Sequence, residues 1–170
     1  HLVFPNAQPN RAHRALALLE QKGCLHAVIT QNVDGLHQAA GSENVIELHG
    51  STHHGTCMYC KKAYPLIRIL DADSVPRCSC GGIVKPDVVL YEEGLDDQVM
   101  SEAIYHISNA DMLIIGGTSL VVYPAAGFID YFRGKYLVVI NKSETSRDGQ
   151  ANLCIQEPIG EVLGSVVVRR

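Results

Sequence analysis

Met112-Leu113-Ile114-Ile115-Gly116-Gly117-Thr118-Ser119 is an unbroken apolar run that stops on two glycines and two hydroxyl side chains. A short run without polar alternation suits a strand buried on both faces, and the glycines let the chain turn sharply into its next element. Pro124 to Phe132 follows as a helix with proline in its first turn, and Leu137 to Ile140 is a second apolar run, ending at Asn141. Upstream, Asp97 to Asn109 sets Met100, Ala103, Ile104 and Ile107 on one helical face. Downstream, a loop from Lys142 to Gln150 leads to a short strand near Leu153 to Ile155 and a helix starting near Pro158.

The same rhythm opens the chain. Ala12, Ala15, Leu16 and Leu19 recur at helical spacing, with Asn10 placed to cap the start and Gly23 the end. Ala27-Val28-Ile29 ends in Thr30, and Gln31 to Ala40 reads as a loop running into a short helix closed by Gly41. Apolar strands alternating with amphipathic helices predict an α/β fold whose parallel sheet is covered on both faces. In such a sheet ligands bind beyond the carboxyl ends of the strands. That rule selects three clusters: Thr30-Gln31-Asn32-Val33-Asp34, Gly116-Gly117-Thr118-Ser119, and Asn141-Lys142-Ser143.

Residues 51–82 break the rhythm and form an expected inserted module, leaving 1–50 and 83–170 to the α/β domain. The module holds Cys57-x2-Cys60, 17 residues, then Cys78-x-Cys80 followed by Gly81-Gly82. Paired thiolates on tight turns build a closed tetrahedral sulfur site, so Cys57, Cys60, Cys78 and Cys80 are expected to hold a structural zinc ion. The tight C-x-C pair leaves redox-active cysteines as the alternative. Cys24 and Cys154 lie in or beside apolar segments and read as small buried hydrophobes. His53 and His54 read as part of a solvated loop.

Composition narrows the function. The chain has 170 residues, 46% of them hydrophobic, and a net charge of −4 from 14 basic and 18 acidic side chains. Lacking a basic block, it is not expected to bind nucleic acid or a membrane surface. No apolar run approaches the ~20 residues that span a bilayer, and the expectation is a cytoplasmic protein. Because the chain opens on His1 and an aperiodic, proline-containing stretch, it reads as beginning inside a longer protein.

His49, in Leu48-His49-Gly50, follows an apolar stretch and precedes a glycine that leaves room for substrate, which suits a general base. Taken in order, Thr30-Gln31-Asn32-Val33-Asp34-Gly35-Leu36-His37, Leu48-His49-Gly50, the four cysteines, Lys85-Pro86-Asp87-Val88-Val89, Gly117-Thr118-Ser119 and Ile140-Asn141 resemble the core of a bacterial-type sirtuin. The resemblance implies a Rossmann-like, doubly wound sheet and an NAD-dependent protein lysine deacylase. Its partners would be acyl-lysine-bearing proteins or peptides, and its products nicotinamide and O-acyl-ADP-ribose.

By the same resemblance Gln31, Asn32 and Asp34 line the pocket for nicotinamide and its ribose, and His49 deprotonates that ribose. Gly117, Thr118, Ser119, Asn141, Lys142 and Ile159 meet the adenosine half. Val88, Val89, Leu90 and Tyr91 pair with the substrate peptide as an added strand. The family's commoner Phe-Gly-Glu ending is replaced here by Tyr91-Glu92-Glu93. The family's first strand and Gly-Ala-Gly-x-Ser phosphate loop are not found before Pro9, so the 170 residues alone are expected to bind NAD poorly and turn over slowly. Two other readings are a protein ADP-ribosyltransferase on the same fold and a non-catalytic zinc-ribbon interaction module.

Overall fold

The structure is a computed structural model and describes residues 6–70 and 74–167. In chain order the elements are helix α1 (Arg11–Gln21), strand β1 (Val28–Thr30), helix α2 (Leu36–Ala39), strands β2 (Val45–Glu47), β3 (Gly50–Cys57) and β4 (Ala63–Pro65), helix α3 (Leu66–Leu70), strand β5 (Val84–Val88), helix α4 (Asp97–Asn109), strands β6 (Met112–Gly116), β7 (Tyr136–Ile140) and β8 (Leu153–Ile155), and helix α5 (Ile159–Val167). Short 3₁₀ segments occupy Ala125–Tyr131 and Asp148–Gln150. None of the described helices is long and apolar enough to cross a membrane.

Two compact units emerge. One gathers Gln8–Ile29, Leu36–Ile46 and the chain from Asp96 onward. Its sheet is parallel in the order β6-β7-β8, with β7 in the centre. Alternate side chains of β7 serve opposite layers. Leu137 and Val139 pack with Ile115, Leu120 and Ile129, while Ile140 packs with Ala12, Ala15 and Leu163 of α1 and α5. Each fully buried aliphatic side chain contributes about 1.5–3 kcal/mol relative to exposure, so this doubly covered strand is the unit's spine. That is the doubly covered parallel sheet expected from the alternating pattern, and the Rossmann-like arrangement that the resemblance implies.

Local signals act as the sequence suggests. Asn10 caps α1 by accepting from the amides of Ala12 and His13, and Gly23 ends the turn after the helix at φ +71°. Asp96 accepts from Gln98 and Val99 at the start of α4. The segment after Pro124 coils more tightly than an α-helix, consistent with Gly127 weakening helix propensity inside a seven-residue stretch. Cys154 is exposed, on the edge strand β8, and Cys24 is exposed in the turn after α1; neither is the buried hydrophobe expected.

The other unit gathers Thr30–Gly35 with Glu47–Leu95. Its antiparallel sheet has the order β4-β3-β5, so Val84–Val88, within the 83–170 stretch expected in the α/β domain, pairs antiparallel with the cysteine module. The compact unit is therefore wider than residues 51–82. The pairings Thr56↔Lys85 and Cys57↔Val84, with the packing of Val84 against Cys57 and Cys78, hold β5 there. Pro86 is tolerated because β5 lies at the edge of this sheet. His53 and His54 are exposed, but on strand β3 rather than in a loop.

Candidate active site and metal centre

The Thr30–Gly35 turn is fastened to the chain around β3 by a row of hydrogen bonds. The amide of Leu48 donates to the Thr30 carbonyl at 2.9 Å, and Thr52 donates to the Val33 carbonyl through its amide at 3.0 Å and its hydroxyl at 2.9 Å. Between them His49 Nδ1 lies 2.9 Å from the Gln31 carbonyl oxygen. A carbonyl oxygen can only accept, so Nδ1 carries the proton and the lone pair of neutral imidazole resides on Nε2. The ring is half-buried and fixed in orientation by main chain, with Nε2 left able to accept a proton. The structure brings Gln31, Asn32 and Asp34 onto this same turn, with Asn32 exposed and Asp34 half-buried.

Gly50 follows at φ +74°, and a Cβ there would lie 2.1 Å from the carbonyl oxygen of Asp87. Only glycine permits that approach. It lets β5 close on the residue beside His49, where the Val89 amide donates to the His49 carbonyl at 2.9 Å. Beyond Val88, Leu90 and Tyr91 turn outward, Tyr91 fully exposed at 101%. Glu92 takes φ +71° in this turn, which closes with the Glu93 amide donating to the Leu90 carbonyl.

The cysteines converge at the far end of β3. Cys57 and Cys80 place their sulfurs 3.6 Å apart, Cys60 and Cys78 3.5 Å apart, and all four lie within 4.8 Å of one another. A zinc tetrahedron with bonds of about 2.3 Å has sulfur–sulfur edges of about 3.8 Å, whereas a disulfide needs about 2.05 Å. The spacing fits the metal. A Cβ on Gly82 would fall 2.7 Å from the Cys57 sulfur, so the backbone itself closes the cradle.

Electrostatics agree. The Cys80 amide, with the Tyr64 hydroxyl next in strength, holds the Cys78 thiol down to about 5. The Lys62 amide favours the Cys60 thiolate, but neighbouring Cys80 and Cys78 outweigh it and push that thiol up to about 12. Sulfurs this close resist sharing four negative charges, a conflict that a dication removes. Tyr64 donates its hydroxyl to the Cys78 sulfur at 3.0 Å, an outer hydrogen bond that the cysteine spacing gave no means to foresee.

In the parallel-sheet unit a cavity of about 550 Å³ opens beyond the carboxyl ends of β6 and β7. It is lined by Gly117, Thr118, Ser119, Asn141, Lys142 and Ile159, which gathers all six residues expected on the adenosine side. Sequence reasoning missed Asn10, Arg11 and Glu161 on its wall. Arg11 and Glu161 form an ion pair of 2.9 Å there, and the signal that could have found them is their position in the first turns of α1 and α5.

The Sir2 family model matches residues 1–124. The NAD-dependent protein deacetylase of Clostridium perfringens (strain 13 / Type A) is 61% identical over 168 residues, spanning 98% of this chain and 69% of the relative. A solved structure described as "Sir2-p53 peptide-NAD+" superposes with a TM-score of 0.89 at 42% identity, covering 94% of this chain and 69% of that one. Another, "Sir2 bound to acetylated peptide", gives a TM-score of 0.90 at 41% identity, covering 95% and 70%.

Proposed function

The chain belongs to the Sir2 family, and from this we infer that it is an NAD-dependent protein lysine deacetylase. The reaction consumes NAD, acyl-lysine and water: the bond from ribose C1′ to nicotinamide and the lysine amide bond both break, the acyl group ends on a ribose oxygen of ADP-ribose, and lysine and nicotinamide are freed. The observation that carries the reading is the 2.9 Å contact between His49 Nδ1 and the Gln31 carbonyl, which leaves Nε2 as the proton acceptor. His49 takes the proton from a ribose hydroxyl, which becomes the nucleophile toward the acyl carbon. Gln31, Asn32 and Asp34 supply the amides and carboxylate for nicotinamide and its ribose.

The 550 Å³ cavity takes the adenosine half. There Thr118, Ser119 and Asn141 offer hydrogen bonds, Lys142 a cation, and Ile159 an apolar wall. Val88, Val89, Leu90 and Tyr91 receive the substrate peptide at the open end of β5, where exposed Tyr91 can close over an acyl-lysine. Zinc on Cys57, Cys60, Cys78 and Cys80 does structural work. β3 runs from Gly50, beside the base, to Cys57 at the metal, so fixing one end of the ladder steadies the other. A cluster of reduced thiols belongs in a reducing compartment, which favours the cytoplasm.

Mass spectrometry of the products from NAD and an acetyl-lysine peptide tests the reading. O-acetyl-ADP-ribose with free lysine is expected. ADP-ribosylated protein in its place would move the assignment to ADP-ribosyl transfer.

A further inference from the structure

Around the segment assigned to substrate peptide the chain makes a closed ring of polar contacts. Lys85 Nζ donates to both carboxylate oxygens of Glu93, at 2.8 and 2.5 Å, and to the Val88 carbonyl at 3.1 Å. Glu93 accepts in addition from the Leu90 amide at 2.9 Å, and its own amide donates to the Leu90 carbonyl at 3.1 Å. One ion pair therefore touches Val88 and Leu90, on either side of Val89, whose amide is bonded to the His49 carbonyl.

Val88 is buried and paired with Gly50, and Val89 is bonded to His49, but beyond them little else holds the stretch. Leu90 is 46% exposed and Tyr91 fully so, and a segment that buries little apolar surface gains little packing energy. Its turn also contains Glu92 at φ +71°, a conformation that disfavours any residue with a Cβ. A strained, poorly packed turn keeps one shape only if other bonds close it.

We propose that the Lys85–Glu93 ion pair is a positioning clip that holds Val88 to Tyr91 in the one course able to receive an acyl-lysine peptide. The proposal rests on the assignment of that segment to the peptide. Because the clip bonds the Val88 carbonyl and the Leu90 amide, it acts on the course of the backbone. Lys85 and Glu93 are positioning residues, and their loss falls on peptide binding rather than on NAD.

The test compares the wild-type protein with Glu93→Gln, Lys85→Met and Lys85→Arg. Affinity for a fluorescein-labelled acetyl-lysine peptide is read by anisotropy, and KM for peptide and for NAD by product formation. Glu93→Gln and Lys85→Met should weaken peptide binding about fivefold, the fold-change of an ion pair at the upper end of the exposed range. Lys85→Arg should restore most of it, while KM for NAD and zinc content stay as in wild type. Hydrogen exchange supplies a reading independent of substrate: the Leu90 amide should exchange faster in Glu93→Gln. Unchanged Leu90 exchange overturns the clip itself. Faster exchange with unchanged peptide affinity overturns its role in binding, as does a parallel loss of NAD affinity and zinc. A wild-type protein that binds no acetyl-lysine peptide would instead sink the functional reading, with the exchange result still deciding the clip.

Discussion

His49 Nδ1 donates a hydrogen bond to the carbonyl oxygen of Gln31 across 2.9 Å, so the main chain of the Gln-Asn-Val-Asp turn selects the tautomer of the proposed base. An acceptor that cannot donate removes the choice. Replacing His49 with alanine should lower formation of O-acetyl-ADP-ribose by at least ~100-fold, the usual loss when a general base is removed, with peptide affinity preserved. Product formation near the wild-type rate would end the assignment of His49.

Tyr64 sits 3.0 Å from the Cys78 sulfur and stabilises that thiolate from outside the metal's own ligands. Tyr64→Phe keeps the ring and deletes the bond. Zinc release to a chromogenic chelator should quicken by roughly tenfold or more, the range seen when an outer partner of a ligand is lost. A release rate equal to wild type would show the contact to be incidental.

Glu92 occupies the left-handed region at φ +71°, where a residue with a Cβ costs about 1–2 kcal/mol and glycine almost nothing. Part of that gain is returned through the freer unfolded chain. Glu92→Gly should raise Tm by about 2–4 °C, whereas Glu92→Ala should not. Differential scanning calorimetry of the two variants decides between strain relief and a mere loss of charge.

The Glu93 carboxyl is held below the ordinary glutamate range, first by the hydrogen bond from Lys85 and then by the Leu90 amide. A carboxyl whose folded pKa is lowered stabilises the protein at pH above its unfolded value, and loses that contribution as pH falls through the folded value. The Tm advantage of wild type over Glu93→Gln should thus be complete above about pH 5 and fade in more acidic buffer. Comparing the two proteins cancels the acid release of zinc common to both. An advantage that grows on acidification would contradict the ion pair.

Ser119 lines the cavity beyond β6. Ser119→Trp fills the space proposed for the adenosine half, so KM for NAD should rise at least about tenfold while labelled-peptide affinity stays put. Equal KM values would remove the cavity from the cofactor's path.

Periodicity, caps and cysteine spacing lie along the chain, and they determined much of this protein by themselves. Asn10 and Gly23 bound α1, Asp97–Asn109 is the helix expected, Leu153–Ile155 is the strand expected, and the four sulfurs come together as their spacing requires. Each is a local property, fixed by neighbours a few residues away. The pairing of Val84–Val88 was not legible, because a five-residue strand carries no label for its partner; the ladder to β3 placed it antiparallel. Exposure of Cys24 and Cys154 was hidden for the same reason, since apolar neighbours in sequence do not say which face the fold covers. Only tertiary structure set the Nδ1 proton of His49, the Tyr64–Cys78 bond and the Lys85–Glu93 clip, because a hydrogen bond depends on which groups meet within about 3 Å. Sequence chose the chemical groups, and contacts between residues distant along the chain chose their orientation.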